Sequence, residues 1–501
     1  MKRIIAPTML LVLMMLIAVS GCSKGPEQVT PEKIELAKMV PADMPMFFYL
    51  DMKAINMDQI MTKAFANSED FDYEKFKEAG FNPEGKLAFM ITDFNFDPDA
   101  EKIPTIVILI PSTNPEKTFD FVNEMAEENE QETEITREDG LITVKTEDEE
   151  LYFKGIGENL AFAVGEDAKE LIETLVNLPE DQSMAGNEAF QNAMGQIEVN
   201  DPAIIGFING EFYNQMIEEA MEDADTDELP EGFFDLPEMN YAIIAGEIEE
   251  SRIAIKSYAS YAEELKENSL ISLYLANEIP SGAYSLDEIS GDAIAYMRMV
   301  INMEGLKNLI SPFMEDQQEF SYEQFGFTED EFWGMLKGDF QILLANVNFM
   351  APQAGGVMGI NDSKAIGKLM TLVQAATEGK LQGEGNLYTM TEGNNEIEIE
   401  ISDDNVLVTL NMDDLTAQDV SMAVVLEQAG IDNPDQYPFI FFVDMEKVTP
   451  TIRMFAPKVA DKMDWLGTIV TVSKIEGKEA WGYVVINGTG DVMEDILSLF
   501  E

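Results

Sequence analysis

Seven short segments of this sequence recur in the same order about half a chain apart. One such pair is Glu158–Val164 and Asp404–Leu410, which share an acid, an Asn and an apolar run. The offset between partners drifts only from 226 residues (Ile271 to Leu497) to 253 residues (Phe89 to Ile342). Recurrence at one long period is typical of a repeated structural unit. We therefore predict two homologous tandem halves, residues 41–276 and 285–501, joined by a junction at residues 277–284.

Each half alternates strand-like and helix-like patterns in the same order. An apolar strand at Met46–Leu50, or Ala293–Ile301, is followed by an amphipathic helix at Met57–Ala66, or Glu304–Met314. A hairpin is clearest at residues 396–410, where Ile and Glu alternate before a polar turn. The intermixed helices and hairpins predict an α+β fold, in which each half is a mostly antiparallel sheet with packed helices.

Two later helices of the second half are predicted from their apolar spacing, at Thr416–Gln428 and Thr449–Met463. Asn114 and Asp362 precede other helical patterns and are expected to cap them. These assignments give the second half the same run of elements as the first.

The first residues have the pattern of a bacterial export signal. Lys2 and Arg3 form a short basic head, and residues 4–19 are almost wholly apolar. The apolar run is shorter than the ~20 residues that span a bilayer. We predict a signal peptide at residues 1–21.

The residues that end this signal resemble the lipobox of bacterial lipoproteins. They read Val19-Ser20-Gly21-Cys22, and Cys22 is the single cysteine of the chain. The resemblance implies that Cys22 is acylated and becomes the first residue of the mature protein. The next residue is Ser23 and not Asp. In this respect the sequence resembles Gram-negative lipoproteins that leave the inner membrane and reach the outer membrane. Residues 22–40, with two prolines and mixed charges, then form a lipidated tether. A simple membrane anchor, or a cleaved signal with an incidental Cys, is the alternative.

Composition excludes several classes of protein. The 501 residues contain no His and one Cys, so a Ser-His-Asp triad, an imidazole metal site and a thiolate zinc site are excluded. The 95 acidic residues outnumber 31 basic ones, and a net charge of −64 argues against nucleic acid. Gly80–Lys86 matches the first seven places of a P-loop, but Leu87 follows and the order is helix to strand, so no nucleotide site is predicted.

An acidic ladder near residue 93 is the candidate metal site. Oxygen ligands stand at every second place, as at the start of an EF-hand loop, but Pro98 and Pro104 occupy positions that need Gly and Glu. A looser calcium site remains open, and a solvated strand end is the alternative. No other cofactor is predicted. The candidate ligands are Asp93, Asn95, Asp97 and Asp99.

Two motifs further along the chain indicate a family. Pro41-Ala42-Asp43 precedes an apolar strand that ends in Asp51, and Leu336-Lys337-Gly338-Asp339 precedes the apolar run Phe340–Val347. With the lipobox, these motifs resemble uncharacterised bacterial lipoproteins built on a domain of unknown function. The resemblance implies an extracytoplasmic, non-enzymatic lipoprotein and supplies no substrate.

We therefore expect a non-catalytic binding or scaffolding module of the cell envelope. Its partners would be the lipid bilayer, through acylated Cys22, and an unidentified envelope protein or ligand bound at the interface or cleft between the halves. It would be extracytoplasmic, on the outer membrane in a Gram-negative cell. Two alternatives stay open: a hydrolase that acts on glycans with carboxylates alone, and a calcium-dependent surface protein.

Overall fold

The computed structural model describes most of the chain from Ile34 onward. The described residues are 34–65, 72–92, 104–128, 134–146, 150–197, 199, 202–222, 237–263, 279, 284–315, 322, 326–347, 351–416 and 419–498. Cys22 and the acidic ladder from Asp93 to Asp99 lie outside these residues.

Twenty strands are found within the described residues, and they pair into one sheet. Ten belong to the first half of the chain: β1 Met46–Asp51, β2 Lys86–Ile91, β3 Ile106–Pro111, β4 Glu134–Glu138, β5 Leu141–Lys145, β6 Glu150–Ile156, β7 Asn159–Val164, β8 Ile204–Asn209, β9 Met239–Glu249 and β10 Arg252–Tyr261. Ten belong to the second half: β11 Ala295–Val300, β12 Leu336–Asn346, β13 Gln353–Ile360, β14 Gln382–Glu384, β15 Leu387–Glu392, β16 Asn395–Ile401, β17 Asn405–Leu410, β18 Phe439–Asp444, β19 Leu466–Glu476 and β20 Glu479–Gly488.

Thirteen α-helices are found in the same residues. They are α1 Met57–Ala64, α2 Tyr73–Glu78, α3 Pro115–Glu128, α4 Ala168–Val176, α5 Glu188–Gln196, α6 Gly210–Glu222, α7 Met303–Glu315, α8 Glu329–Gly334, α9 Ser363–Ala376, α10 Met422–Gln428, α11 Met445–Phe455, α12 Pro457–Asp461 and α13 Val492–Ser498. None of these helices has the length and apolar character needed to cross a membrane.

The two halves of the sheet have the same strand order. In the first half the neighbours are β4-β5-β6-β7-β3-β2-β1-β8-β9-β10. In the second half they are β14-β15-β16-β17-β13-β12-β11-β18-β19-β20. Every pairing is antiparallel, so the predicted α+β class with antiparallel sheets is confirmed. That this order reflects a duplication at the predicted boundaries stays a prediction.

The two halves join edge to edge through β10 and β20. Nine residue pairs, from Arg252 opposite Asn487 to Ser260 opposite Glu479, form this antiparallel contact. Lys256 lies opposite Tyr483 at its centre. Residues 227 apart, such as Arg252 and Glu479, take symmetry-related places in the contact, so the pairing has an approximate two-fold axis. Each last strand thereby covers the free edge of the other.

Helices cover both faces of the sheet. We call the face that carries Phe47 and Tyr296 the front face and the opposite one the back face. Two front-face cores lie beside the joint, and each takes one residue from the other half: Trp481 enters the first core and Ala254 the second. On the back face, α1, α2, α3 and α6 cover the first half, and α8 and α9 cover part of the second.

Two of the predicted helix boundaries in the second half are wrong. The helix predicted at Thr416–Gln428 begins at Met422, because the Ser421 side chain accepts a hydrogen bond from the Val424 amide and caps it there. The helix predicted at Thr449–Met463 begins at Met445, capped by Asp444, and breaks at Ala456. Pro457 explains the break, because the residue before a proline is disfavoured in the helical region.

A charged pair is buried in the front-face core of the second half. The side chains of Arg298 and Asp339 are 4 % and 0 % exposed, and Arg298 Nε lies 3.5 Å from Asp339 Oδ1. Gln341 Nε2 donates to Asp339 Oδ2 at 3.3 Å, and the Tyr296 hydroxyl donates to Gln341 Oε1 at 2.9 Å. Burial raises the pKa of Asp339, although the neighbouring Arg298 opposes this. The carboxylate of Asp339 therefore needs Arg298 as its counterion to stay ionised inside the core.

We expect Arg298→Met to lower the free energy of unfolding by about 3–5 kcal/mol at pH 8, because the carboxylate of Asp339 loses its counterion inside the core. The loss should be smaller at pH 5. Protonation neutralises a carboxyl group whose pKa is raised in the folded state, so stability rises as the pH falls. Urea unfolding at both pH values measures it, and Arg298→Met/Asp339→Leu should recover most of the loss. An equal loss at both pH values would contradict this role for Asp339.

Candidate functional site

A cavity of about 760 Å³ opens on the front face of the second half. Its floor is apolar and consists of Leu343 and Ala345 from β12, Phe442 from β18 and Val425 from α10. The site was predicted at the interface or cleft between the halves, whereas the residues that line this cavity all belong to the second half.

The rim of the cavity is acidic. It contains five aspartates and one lysine, with Asn, Gln, Ser and Thr side chains between them. The charged residues are Asp292, Asp413, Asp414, Asp419, Asp444 and Lys447. Asp413, Asp414 and Asp419 are exposed, and Asp414 is also tied to its own loop by hydrogen bonds from the Thr416 hydroxyl and amide.

Lys447 is held between two of these aspartates. Its Nζ lies 2.8 Å from Asp292 Oδ1 and 3.4 Å from Asp444 Oδ2, and it donates to the carbonyl of Ala293 at 3.2 Å. Burial acts to lower the pKa of Lys447, but the hydrogen bond to Asp292 and the charges of Asp292 and Asp444 outweigh it, so the pKa is raised. Lys447 is therefore a cation at neutral pH, and its positive charge is paired with Asp292 and Asp444 within the rim.

One helix of the first half has no counterpart at the same place among the described residues. After β7 the chain enters α4, which buries Ala168, Ile172 and Leu175 against the front face. After β17 the chain continues without a helix through residues 411–416 and 419–421. The loop that takes its place supplies Asn411, Met412, Asp413, Asp414, Thr416, Asp419 and Val420 to the cavity lining.

The cavity walls are fixed by backbone contacts between distant segments. The amide of Ser290 donates to the carbonyl of Leu415 at 2.8 Å, and the amide of Gly291 donates to that of Val420 at 2.7 Å. Asn411 donates to the carbonyl of Pro352 at 2.8 Å and accepts from the amide of Glu396 at 2.8 Å. The site is preformed on this frame, with an apolar interior and acidic groups at the mouth.

The predicted metal ligands are not among the described residues that line this site. Asp93, Asn95, Asp97, Asp99 and Cys22 are outside the described residues, so the calcium and lipidation sites stay predictions. Within the part of the chain that the structure describes, no group of three or more Cys, Asp or Glu residues is placed to hold a metal ion.

Sequence reasoning missed both Asp292 and Lys447. One signal for Asp292 was present: Ser290-Gly291-Asp292 lies 249 residues after Pro41-Ala42-Asp43, the motif quoted for the family. Lys447 carried no comparable signal, because it is 155 residues from Asp292 and the two meet only through the fold.

A family model matches residues 4–365 of the chain, which is well over half of its length. The chain belongs to the DUF3352 family. The family is described as a protein of unknown function. This confirms the predicted membership of an uncharacterised family built on a domain of unknown function. None of the curated proteins matches the chain.

Solved structures of one protein, TP0453, show a weak similarity. Its crystal form III is 12 % identical, with a TM-score of 0.28, over 49 % of this chain and 89 % of that one. Crystal form IV is 10 % identical, with a TM-score of 0.27, over 47 % and 81 %, and crystal form I is 10 % identical, with a TM-score of 0.25, over 45 % and 78 %.

We expect Lys447→Met to lower the free energy of unfolding by about 1 kcal/mol, because it removes the hydrogen bonds of the ammonium group to Asp292 and to the Ala293 carbonyl and its ion pair with Asp444. The loss should be constant between pH 6 and pH 9. A lysine with a raised pKa contributes fully below its unfolded value and loses that contribution only as the pH rises through the folded value. Denaturant unfolding at three pH values within this range provides the measurement. A loss that shrinks by pH 9 would mean that Lys447 is already losing its proton.

Proposed function

We propose that this protein is a lipid-anchored, extracytoplasmic binding protein of the bacterial envelope. Its binding site is the cavity of the second half, and its ligand carries a cationic group on an apolar body. The observation that carries this proposal is the combination of an apolar floor with an acidic rim in a cavity of about 760 Å³.

The anchor is supported by the first 22 residues. A basic head, an apolar run and Val19-Ser20-Gly21-Cys22 follow one another as a lipoprotein signal requires. Removal of residues 1–21 takes away Lys2 and Arg3, so the net charge falls from −64 to −66. A body of this net charge gains no overall electrostatic attraction to an anionic membrane surface, and a covalent lipid would supply the stable attachment.

The ligand class is supported by the balance of charge at the cavity mouth. Five carboxylates surround one ammonium group, and that ammonium group is already engaged by Asp292 and Asp444. Asp413 and Asp419 remain exposed at the rim. A cation there would gain electrostatic attraction, while its apolar part would cover the half-buried side chains of Ala345 and Val425.

A binding role is favoured over glycan hydrolysis by the position of Asp339. A glycosidase needs a carboxylic acid with a raised pKa that reaches its substrate. Burial raises the pKa of Asp339, but its side chain is 0 % exposed within the core and is held by Arg298 and Gln341. This group serves the fold and does not face the cavity.

We expect Cys22→Ala to abolish incorporation of labelled palmitate when the full chain is expressed in bacteria. The reason is that the chain has no other thiol to carry a thioether-linked lipid. Labelling and mass spectrometry of the membrane fraction measure it, with Ser23→Ala as the control that keeps the label. Retention of label by Cys22→Ala would rule out the proposed anchor.

We expect hexylammonium to raise the melting temperature of the chain from Ser23 onward more than hexanol does. A ligand at a hundred times its dissociation constant stabilises by about 2.7 kcal/mol. Asp413→Asn/Asp419→Asn should remove the difference between the two compounds. Asp403→Asn should keep it, because Asp403 is an exposed acid that does not line the cavity.

The same melting experiment separates the alternatives. Equal effects of hexylammonium and hexanol would contradict the role of the acidic rim. Stabilisation by CaCl₂ beyond MgCl₂ at matched ionic strength would support the calcium site predicted at Asp93, Asn95, Asp97 and Asp99. That site is independent of the cavity, so each result can stand alone.

A further inference from the structure

The corner between α11 and α12 exposes three large apolar side chains. Met454 is 72 % exposed, Phe455 is 69 % exposed and Val459 is 51 % exposed. They lie within six residues of one another, where Ala456 and Pro457 break one helix and start the next. Scattered apolar residues are common on surfaces, but three at one projecting turn form a local patch that water solvates poorly.

Two lysines lie close to this patch in sequence. Lys458 and Lys462 are exposed, and neither has an ion-pair partner within 4 Å in the described part of the chain. Arg453 instead contacts Asp461 and Asp464, which ties the end of α11 to the turn after α12. The corner is therefore braced, and two free ammonium groups stand beside its apolar side chains.

The equivalent connection of the first half has the opposite charge. Residues 210–238, between β8 and β9, contain eleven acidic and no basic residues. Residues 445–465, between β18 and β19, contain four basic and three acidic residues, in a chain whose net charge is −64. The same place in the strand order is thus strongly anionic in one half and slightly cationic in the other. An anionic surface would repel the first connection and accept the second.

We propose that the corner formed by Met454, Phe455, Lys458 and Val459 docks into the interface of an anionic lipid bilayer. Apolar side chains at such a corner can enter the boundary between headgroups and acyl chains, while nearby lysines pair with lipid phosphates. Each lysine near an anionic surface strengthens binding by about fivefold. The inference rests on the proposed lipid anchor only for access to the membrane, since the contact itself uses residues of the folded body.

The first test places a fluorophore at the corner. The chain from Ser23 onward contains no cysteine, so Val459→Cys can be labelled at one position with an environment-sensitive dye. With vesicles of equal phosphatidylglycerol and phosphatidylcholine, we expect a blue shift and increased emission, and a much smaller change with phosphatidylcholine alone. Leu387→Cys, at another exposed apolar site (44 %), should show no change. No shift at Val459 with anionic vesicles would overturn the proposal.

The second test separates the apolar and electrostatic contributions by vesicle co-sedimentation. Met454→Ser/Phe455→Ser and Lys458→Glu/Lys462→Glu should each weaken binding to anionic vesicles at least tenfold. Val176→Ser/Leu387→Ser is the matched apolar control, and Lys364→Glu is the charge control; both should bind as the unsubstituted chain does. Circular dichroism checks that each variant is folded.

The outcomes distinguish this inference from the proposed function. Unchanged binding of both corner variants would overturn the bilayer contact and leave the anchor and cavity intact. Crosslinking from Val459→Cys in cells to one envelope protein, without a lipid-dependent shift, would also overturn it and would make the corner a protein interface. Loss of palmitate at Cys22 has no bearing on the vesicle measurements, because the tested chain lacks that residue.

Discussion

The antiparallel pairing of β10 with β20 is the interaction on which the rest of the structure depends. Nine residue pairs turn two ten-stranded units into one sheet and remove the two edges that would otherwise be free. The pairing also unites the cores, because Trp481 packs in the first half and Ala254 in the second. The cavity does not lie at this joint, since the residues that line it all belong to the second half.

The common strand order supports different chemistry in each half. Tyr49 and Lys86 hold the places in β1 and β2 that Arg298 and Asp339 hold in β11 and β12, so a cation–π contact of 5.7 Å stands where the second half buries an ion pair. Likewise α4 follows β7 in the first half, whereas a loop that lines the cavity follows β17 in the second. The backbone hydrogen bonds define a shared frame, and a few side chains and the segment after the seventh strand differ between the halves.

Much of the fold could be predicted from local patterns, and the site could not. The alternation of Ile and Glu over residues 396–401 predicts β16, and the Asn159 and Asn405 matches lie at the start of β7 and β17. Helix starts were predicted less well. The apolar spacing placed two starts at Thr416 and Thr449, whereas the helices begin after the capping side chains of Ser421 and Asp444. Asp292 and Lys447 are far apart in sequence, and no periodicity links them.

By itself, the sequence determined the properties that depend on neighbouring residues or on totals. These are the export pattern that ends at Cys22, the strong negative charge, the absence of imidazole chemistry and the α+β alternation of each half. Only the tertiary structure decided which strands meet, where the core stays unfilled and which apolar residues remain in contact with water, such as Met454 and Phe455. The physical reason is that side-chain period and capping act over a few residues, whereas strand pairing and burial join residues hundreds of positions apart.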